Sequence, residues 1–433
     1  MSATPAKRQD ILIVGGGAGG AELAAALGRR FGRSTMSVTL IDCATHHLWK
    51  PRLHEVAAGL LGAGEDETSY LALARANHFR FRLGALVALN PEAKTVSLSA
   101  VKDSQGADLL GVRELRYDTL VLAFGSQVND FGIEGVMEHC HVLDSGEQAL
   151  VFQRHLLETA VRVSDGTLDR LRVGIVGAGA TGVELAAELH HAVGAMQRFG
   201  GLISIEQLQV TVIDMAPRAL ANSAPATSAF ASRALERQGA TLRLNASVER
   251  VTSAGFILKG GDEIPCELKV WASGIIGRPL AAALSGLQVD RSRRIICDEY
   301  LRCVGPSDVY ALGDCAFVRD PKTQRPLPAT AQIAHQQGAY LARVLGKGAT
   351  QERTDPFKYR PMGSLVSFGT EPAAGEIPLS TGTPFIFSGA VPKLLYVSLQ
   401  LMHRAALIGW AHATLLAVAD RLRRTFAPPV KLH

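Results

Sequence analysis

The stretch "DILIVGGGAGGAELAAAL", residues 10–27, decides the fold. An apolar run, Ile11 to Val14, ends in Gly15-x-Gly17-x-x-Gly20, and an Ala/Leu-rich stretch of helical character follows. The pattern returns at residues 173–189 as "VGIVGAGATGVELAAEL", with Gly177-x-Gly179-x-x-Gly182. The two align without a gap at a constant offset of 162 residues, Glu22 falling on Glu184 and Leu23 on Leu185. A single G-x-G-x-x-G is a weak signal. Two copies, each between a buried-strand pattern and a helix pattern, predict two βαβ units that bind dinucleotides. The first glycine makes the turn, the second admits backbone to a pyrophosphate, and the third lets helix pack on strand. Phosphate charge then faces the free N–H groups of the helix start.

Each unit should close its second strand with an acid that binds a ribose. "SVTLIDCA" offers Asp42, 27 residues after Gly15, and "QVTVIDMAPR" offers Asp214, 37 after Gly177. The longer second interval implies an insertion around "AMQRFGGLISIEQ". A carboxylate there repels the 2′-phosphate of NADP and favours NADH, with Arg218 as the feature that would argue for NADP.

Composition narrows the class. At 433 residues, 47% hydrophobic and 20% charged, the chain suits two or three ordinary globular domains. The formal charge is +5, and residues 389–433 carry six basic residues (Lys393, Arg404, Arg421, Arg423, Arg424, Lys431) against Asp420. The whole excess sits in the tail, which disfavours a nucleic-acid groove and favours an anionic membrane surface. That tail, "PKLLYVSLQLMHRAALIGWAHATLLAVADRLRR", is too short in its apolar runs to cross a bilayer and too apolar to be left in water. Six scattered cysteines form no C-x-x-C and no metal-ligand spacing, which fits a reducing compartment. "MSATPAKRQD" runs straight into a strand pattern and leaves no room for a signal peptide, so the body is expected to face the cytoplasm.

Further signatures are "LRYDTLVLAFGS" (115–126) and "DVYALGDCA" (308–316), each a strand closed by small residues. With the doubled fingerprint they resemble the two-dinucleotide-binding flavoproteins of the pyridine nucleotide-disulfide oxidoreductase superfamily. A dithiol enzyme would need paired cysteines after the first unit, where only Cys43 stands; a sulfide:quinone reductase would have to use Cys140 and Cys315. Adding "HHLWKPRLHEVAAG" (46–59), "VWASG" (270–274), "LPATAQIAHQQGAYLA" (327–342) and the tail, nearly the whole chain resembles the type II NADH dehydrogenases, single-chain NADH:quinone oxidoreductases.

The resemblance implies an α/β fold of two Rossmann-like domains for FAD and NAD, the second inserted in the first, plus a C-terminal amphipathic helical membrane-binding segment. Expected bounds are 1–160 and 286–348 for the FAD-binding domain, 165–285 for the NADH-binding domain, and 349–433 for membrane association and dimerisation. It implies Gly15, Gly17, Ala18, Gly19, Gly20, Asp42, Gly125, Asp314, Ala331 and Gln332 at FAD, and Gly177, Gly179, Gly182, Glu184 and Asp214 at NADH. By the same likeness Gln332, with Gln336, offers its amide to a quinone carbonyl, and Glu184 sits by the nicotinamide. The plain alternatives are glutamines on a polar helix face, and a carboxylate that offsets the helix dipole as Glu22 would. Trp49-Lys50 replaces the family's Phe-Thr pair and Phe124 its threonine, which leaves the flavin contacts open.

The expected reaction passes a hydride from NADH to FAD and two electrons to a membrane quinone, ubiquinone or menaquinone, with no metal and no proton pumping. The tail's Leu394, Leu395, Tyr396, Val397, Leu401, Met402, Leu407, Ile408, Trp410, Leu415 and Leu416 would enter the acyl boundary, and Arg421, Arg423 and Arg424 would meet headgroups. This places a peripheral, monotopic protein on the cytoplasmic face of the inner membrane. The same tail face would serve as the interface of a homodimer. The rival readings are a soluble NAD(P)H-dependent flavoprotein reductase of another acceptor (sulfide:quinone or ferredoxin type) and an NADH-sensing flavoprotein.

Overall fold

The computed structural model describes residues 8–62, 67–198, 201–347, 355–378 and 384–426. The first fingerprint strand, Gln9–Val14, is the centre of a five-stranded parallel sheet ordered Val309–Ala311, Thr119–Leu122, Gln9–Val14, Met36–Asp42, Arg80–Leu83. Its last four residues are buried, as a strand covered on both faces requires. The second, Leu171–Val176, is central in a parallel sheet ordered Thr241–Arg243, Leu208–Ile213, Leu171–Val176, Leu268–Trp271. Val309–Ala311 follows the second unit in the chain yet pairs with Thr119–Leu122, so the second unit is inserted in the first. Two short strands, Ser126–Val128 and Ile275–Gly277, cross antiparallel between the units.

The glycines do what their spacing requires. Gly15 and Gly177 take φ of +108° and +111° at the strand-to-helix turn. A Cβ on Gly20 would overlap the Gly15 carbonyl oxygen, and one on Gly182 the Gly177 carbonyl oxygen. A Cβ on Gly17 or Gly179 would meet nothing within 4 Å, so both turns are open at these positions. Helix Ala180–Arg198, with 19 residues against 14 in Ala18–Phe31, takes half of the extra length between glycine and aspartate in the second unit, and the segment between it and Leu208 takes the other half.

Two features depart from the expected layout. Helix Gly146–Ser164 packs Ala149, Phe152, Leu156 and Ala160 into the second unit's core, and His141 already bridges to Val270, so by packing the second unit begins ahead of residue 160. Residues after 355 do not go straight into tail helices. They first form an antiparallel sheet, Ser364–Phe368, Glu371–Ile377 and Phe385–Gly389, which sends Val366, Phe368 and Ala374 into the second core. Its third strand has no buried residue, so the alternation signal there is weak.

The tail is two helices, Ala390–Ile408 and Trp410–Phe426, broken at Gly409 with φ of +82°. The first is fastened to the first unit: Arg29 Nη2 donates to Ala406 O at 2.8 Å and Asn77 Nδ2 to Leu407 O at 2.9 Å, closing carbonyls that the helix end leaves open. Leu407 is buried in the first core, Ile408 packs half-buried against it, and half-buried Tyr396 donates to Pro51 O at 3.3 Å, so these three expected lipid-facing residues face protein. Leu394, Val397, Met402, Trp410, Leu415 and Leu416 are exposed as expected. Lys431 and the side chains of Lys393, Arg423 and Arg424 lie outside the described residues.

Gly182→Ala should lower stability by about 1–3 kcal/mol through overpacking of helix on strand. Gly179→Ala should leave the melting temperature unchanged; thermal melts of the two variants check the contrast.

Candidate active site

Both dinucleotide turns hold their acid in one geometry. Gly16 N donates to Asp42 Oδ2 and Ala178 N to Asp214 Oδ2, each at 2.6 Å. Ala44 N and Ala216 N donate to the respective Oδ1 atoms, each at 2.8 Å. The carboxylates are thus aimed, and each oxygen keeps acceptor capacity for a ribose hydroxyl. Arg218 spends its guanidinium on its own loop, donating to Ser223 O at 2.8 Å and Ala221 O at 2.6 Å.

Between the units lies a cavity of about 240 Å³ lined by Ser126, Ile275, Gly277, Arg294, Asp314 and Ala329. Burial raises the Asp314 carboxyl above its ordinary pKa, against the bond from Ser126 Oγ at 3.1 Å. Gly313 N donates to Gln337 Oε1 at 2.7 Å, pinning the Gly-Asp turn to helix Ala331–Leu345. Gly125 has φ of +72° and open space where a Cβ would be, and Arg278 Nε donates to Phe124 O at 3.1 Å. Gly17, Gly125 and Asp314 therefore offer a cradle that suits a dinucleotide, with Ala18, partly exposed, at the helix start and Gly19 buried against Leu312 and Ala334. Lys50 reaches Asp144 at 3.6 Å, while Trp49 stacks on His403 of the tail at 5.7 Å, so the departure from the family's Phe-Thr pair makes a tail contact.

Thr330 caps the helix that begins at Ala331, its hydroxyl accepting from Ile333 N at 3.3 Å. Both sequence-nominated glutamines turn to the segment before the small sheet. Gln332 Oε1 accepts from Tyr359 OH at 2.5 Å and Met362 N at 3.1 Å, while its Nε2 donates to Gly363 O at 3.2 Å. Gln336 makes a two-way pair with Arg360 backbone, at 2.8 and 3.0 Å. Their amides tie helix Ala331–Leu345 to residues 359–363, and neither side chain is among those lining the cavity.

The two matching glutamates have diverged. Glu184 is buried; it accepts from Ser367 N at 3.1 Å and lies 3.6 Å from His54 Nδ1. Burial pushes its pKa up to about 7, against those two partners. Glu22 is equally buried but accepts from His403 Nδ1 at 2.6 Å and from His335 Nδ1. Burial would raise it too, yet the hydrogen bonds from His335 and His403 outweigh that and leave it below its ordinary value. Glu22 thus does more than offset a helix dipole. His47 Nδ1 and Tyr70 OH both donate to Gly16 O, at 2.8 and 2.7 Å. Sequence reading gave no role to His47, Tyr70, His335, Ser367 or His403; only a histidine inside an apolar tail hinted at the last. Burial pushes the Cys140 and Cys315 thiols to about 12, and Cys315 Sγ donates to Leu312 O at 3.2 Å, which makes both poor redox nucleophiles.

The family model "Pyridine nucleotide-disulphide oxidoreductase" matches residues 9–338, and the chain belongs to that family. Within it, the chain is 36% identical to a type II NADH:quinone oxidoreductase of Haemophilus influenzae, over 98% of this chain and 100% of the relative. A second of the same description, from Mycobacterium tuberculosis, is 30% identical over 93% and 86%. The chain is therefore a member of the type II NADH:quinone oxidoreductases. The fold is that of NDH2 from Plasmodium falciparum in complex with NADH, with TM-score 0.83 and 18% identity over 98% and 100% of the two chains. It is also close to a sulfide:quinone oxidoreductase from Aquifex aeolicus, with TM-score 0.72 and 17% identity over 97% and 96%.

The raised pKa of Glu184 fixes a stability trend. The folded chain holds its proton more tightly than the unfolded chain, so this contribution is full below the unfolded pKa of 4.5 and is lost as pH rises through about 7. Glu184→Gln should remove a loss on the order of 3 kcal/mol between about pH 5 and 8. Denaturant titrations across that range should find wild type weakening relative to the variant.

Proposed function

We infer that this chain oxidises NADH and reduces a quinone. The observation that carries the reading is the pair of open dinucleotide turns, each with its aimed aspartate, joined by crossed strands over one cavity. FAD is assigned to the first unit, on Gly15, Gly17, Ala18, Gly19, Gly20, Asp42, Gly125 and Asp314, with Ala331 and Gln332 at the wall; NADH is assigned to the second, on Gly177, Gly179, Gly182, Glu184 and Asp214. FAD held on these residues would supply an acceptor for hydride from NADH and a two-electron donor to quinone. The chain's own part is to hold donor and acceptor in register and to keep water out. Asp214 stands where a 2′-phosphate would be repelled, and Arg218 is already engaged, which supports NADH over NADPH.

Glu184 is the group nearest in chemistry to a nicotinamide contact, neutral or charged near pH 7. Gln332 and Gln336 shape the quinone side through Tyr359–Gly363, and a quinone carbonyl that takes the Gln332 amide does so in exchange for the Gly363 carbonyl. Neutral, packed Cys140 and Cys315 argue against sulfide as the electron donor.

The exposed face formed by Val391, Leu394, Val397 and Met402, continued by Trp410, Leu415 and Leu422, is assigned to a bilayer, where a lipid-soluble quinone resides. Among the described residues no helix is long and apolar enough to cross a membrane. The proposed attachment is monotopic, and the proposed reaction pumps no protons. Exposed Arg421 adds about 1 kcal/mol near an anionic surface. The cytoplasmic face is the proposed side, and ubiquinone or menaquinone the proposed acceptor. A second copy is the alternative occupant of the tail face.

Anaerobic mixing of the yellow protein with NADH should bleach the flavin absorbance, and a water-soluble quinone should restore it; a colourless protein that takes up no FAD would refute the reading. Leu394→Asp with Leu415→Asp should abolish co-sedimentation with anionic liposomes and spare turnover of the water-soluble quinone. Unchanged sedimentation with a loss of dimer would assign the face to a second copy.

A further inference from the structure

Glu22 stands where three elements meet: the first fingerprint helix, helix Ala331–Leu345 through His335, and tail helix Ala390–Ile408 through His403. The string runs on from His403 Nε2 to His47 Nε2 at 2.7 Å and ends at Gly16 O, in the turn assigned to FAD. Acceptor chemistry fixes its hydrogens. A carbonyl only accepts, so His47 Nδ1 carries one. Two ring nitrogens 2.7 Å apart need one hydrogen between them, since none sets lone pair against lone pair and two would collide. One more sits in each contact of Glu22 with a ring. Four hydrogens thus fill four contacts, one more than three neutral rings and a carboxylate possess, and the string is electrically neutral. The remaining nitrogen, His335 Nε2, belongs to a side chain that is 36% exposed; a hydrogen there makes the string a cation.

NADH delivers two electrons and one proton as a hydride, whereas a quinone takes up two electrons and two protons to become a quinol. Each turnover therefore needs one proton that NADH does not bring. Resting on the quinone reading above, we propose that the Glu22–His335 pair supplies it. The N–H bond at His335 Nε2 breaks, an O–H bond forms at a quinone oxygen, and solvent reprotonates the ring. The placement suits the task. Helix 331–345 packs beside Gly19 and pins the Gly313–Asp314 turn, and the tail along which a lipid-soluble acceptor arrives is bonded to the same carboxylate. Among the described residues the groups facing Glu22 are His335 and His403, with His47 behind the latter and Tyr70 on the shared Gly16 carbonyl; Glu22 is the one facing His335. The hydrogen bond that His335 donates to Glu22 raises its pKa above an ordinary histidine's, against the effect of burial, and so favours the charged ring.

The test separates electron from proton delivery, using holoenzyme and His335→Gln. Ferricyanide takes electrons and no protons, so its reduction by the variant should match wild type, as should flavin bleaching by NADH. Quinone reoxidation should slow by about 100-fold and recover on addition of imidazole. In 15N-histidine spectra of wild type, His335 should titrate above the ordinary imidazole range and return to it in Glu22→Gln. Quinone reoxidation within twofold of wild type, an equal fall with ferricyanide, or a His335 that titrates as an ordinary histidine would each overturn the proposal. A wild-type flavin that no quinone reoxidises would instead overturn the quinone reading itself.

Discussion

The contact on which the structure turns is a backbone one, between the start of each fingerprint helix and the end of its strand. At Gly20 and Gly182 there is no room for one carbon beyond the main chain, because a preceding carbonyl, of Gly15 or Gly177, fills it. That closeness brings the first N–H groups of each helix and the neighbouring strand's aspartate to one point, the arrangement that suits a phosphate and a ribose. Everything else in each unit, the buried strands and the apolar helix faces, holds this approach rigid.

On that repeated frame, one position has been put to two uses. Glu22 and Glu184 share a place in the fingerprint and are buried to the same degree. Environment sets them apart. Two imidazoles hold Glu22 charged, while Glu184 has a single backbone N–H and a more distant histidine and is left near neutrality. The difference originates in what was added outside the repeat: the helix at 331–345 and the tail lie against the first unit, and the small sheet lies against the second.

Legibility in the sequence followed the length of the pattern. The two sheets, the insertion and the aimed aspartates were readable because glycines at fixed intervals have one structural meaning, and Asp42 and Asp214 could be found by counting from them. The three strands after Ser364 were not readable, since their burial comes from contact with a helix some 180 residues earlier rather than from alternation. The same holds for His47, His335 and His403, which are far apart in the chain: His335 and His403 meet at Glu22, and His47 meets His403. Gln332 and Gln336 were found on a helix face as expected, but their partners, Tyr359 to Gly363, carry no pattern of their own. In the tail, apolar periodicity gave the two helices and most of the outward face; it did not foresee that Arg29 and Asn77 would draw Leu407 inward.

The insertion also sets an order of assembly. The second unit's strands and the helix at 146–164 are contiguous, so once residues 141–285 leave the ribosome that unit has all its sheet partners. The first unit, although synthesised earlier, still lacks its edge strand at Val309–Ala311, the helix that lies over Gly19, and the histidine at 403. Its N-terminal half must wait with one sheet edge and an apolar helix face uncovered. The part of the molecule that is translated first is the part that closes last.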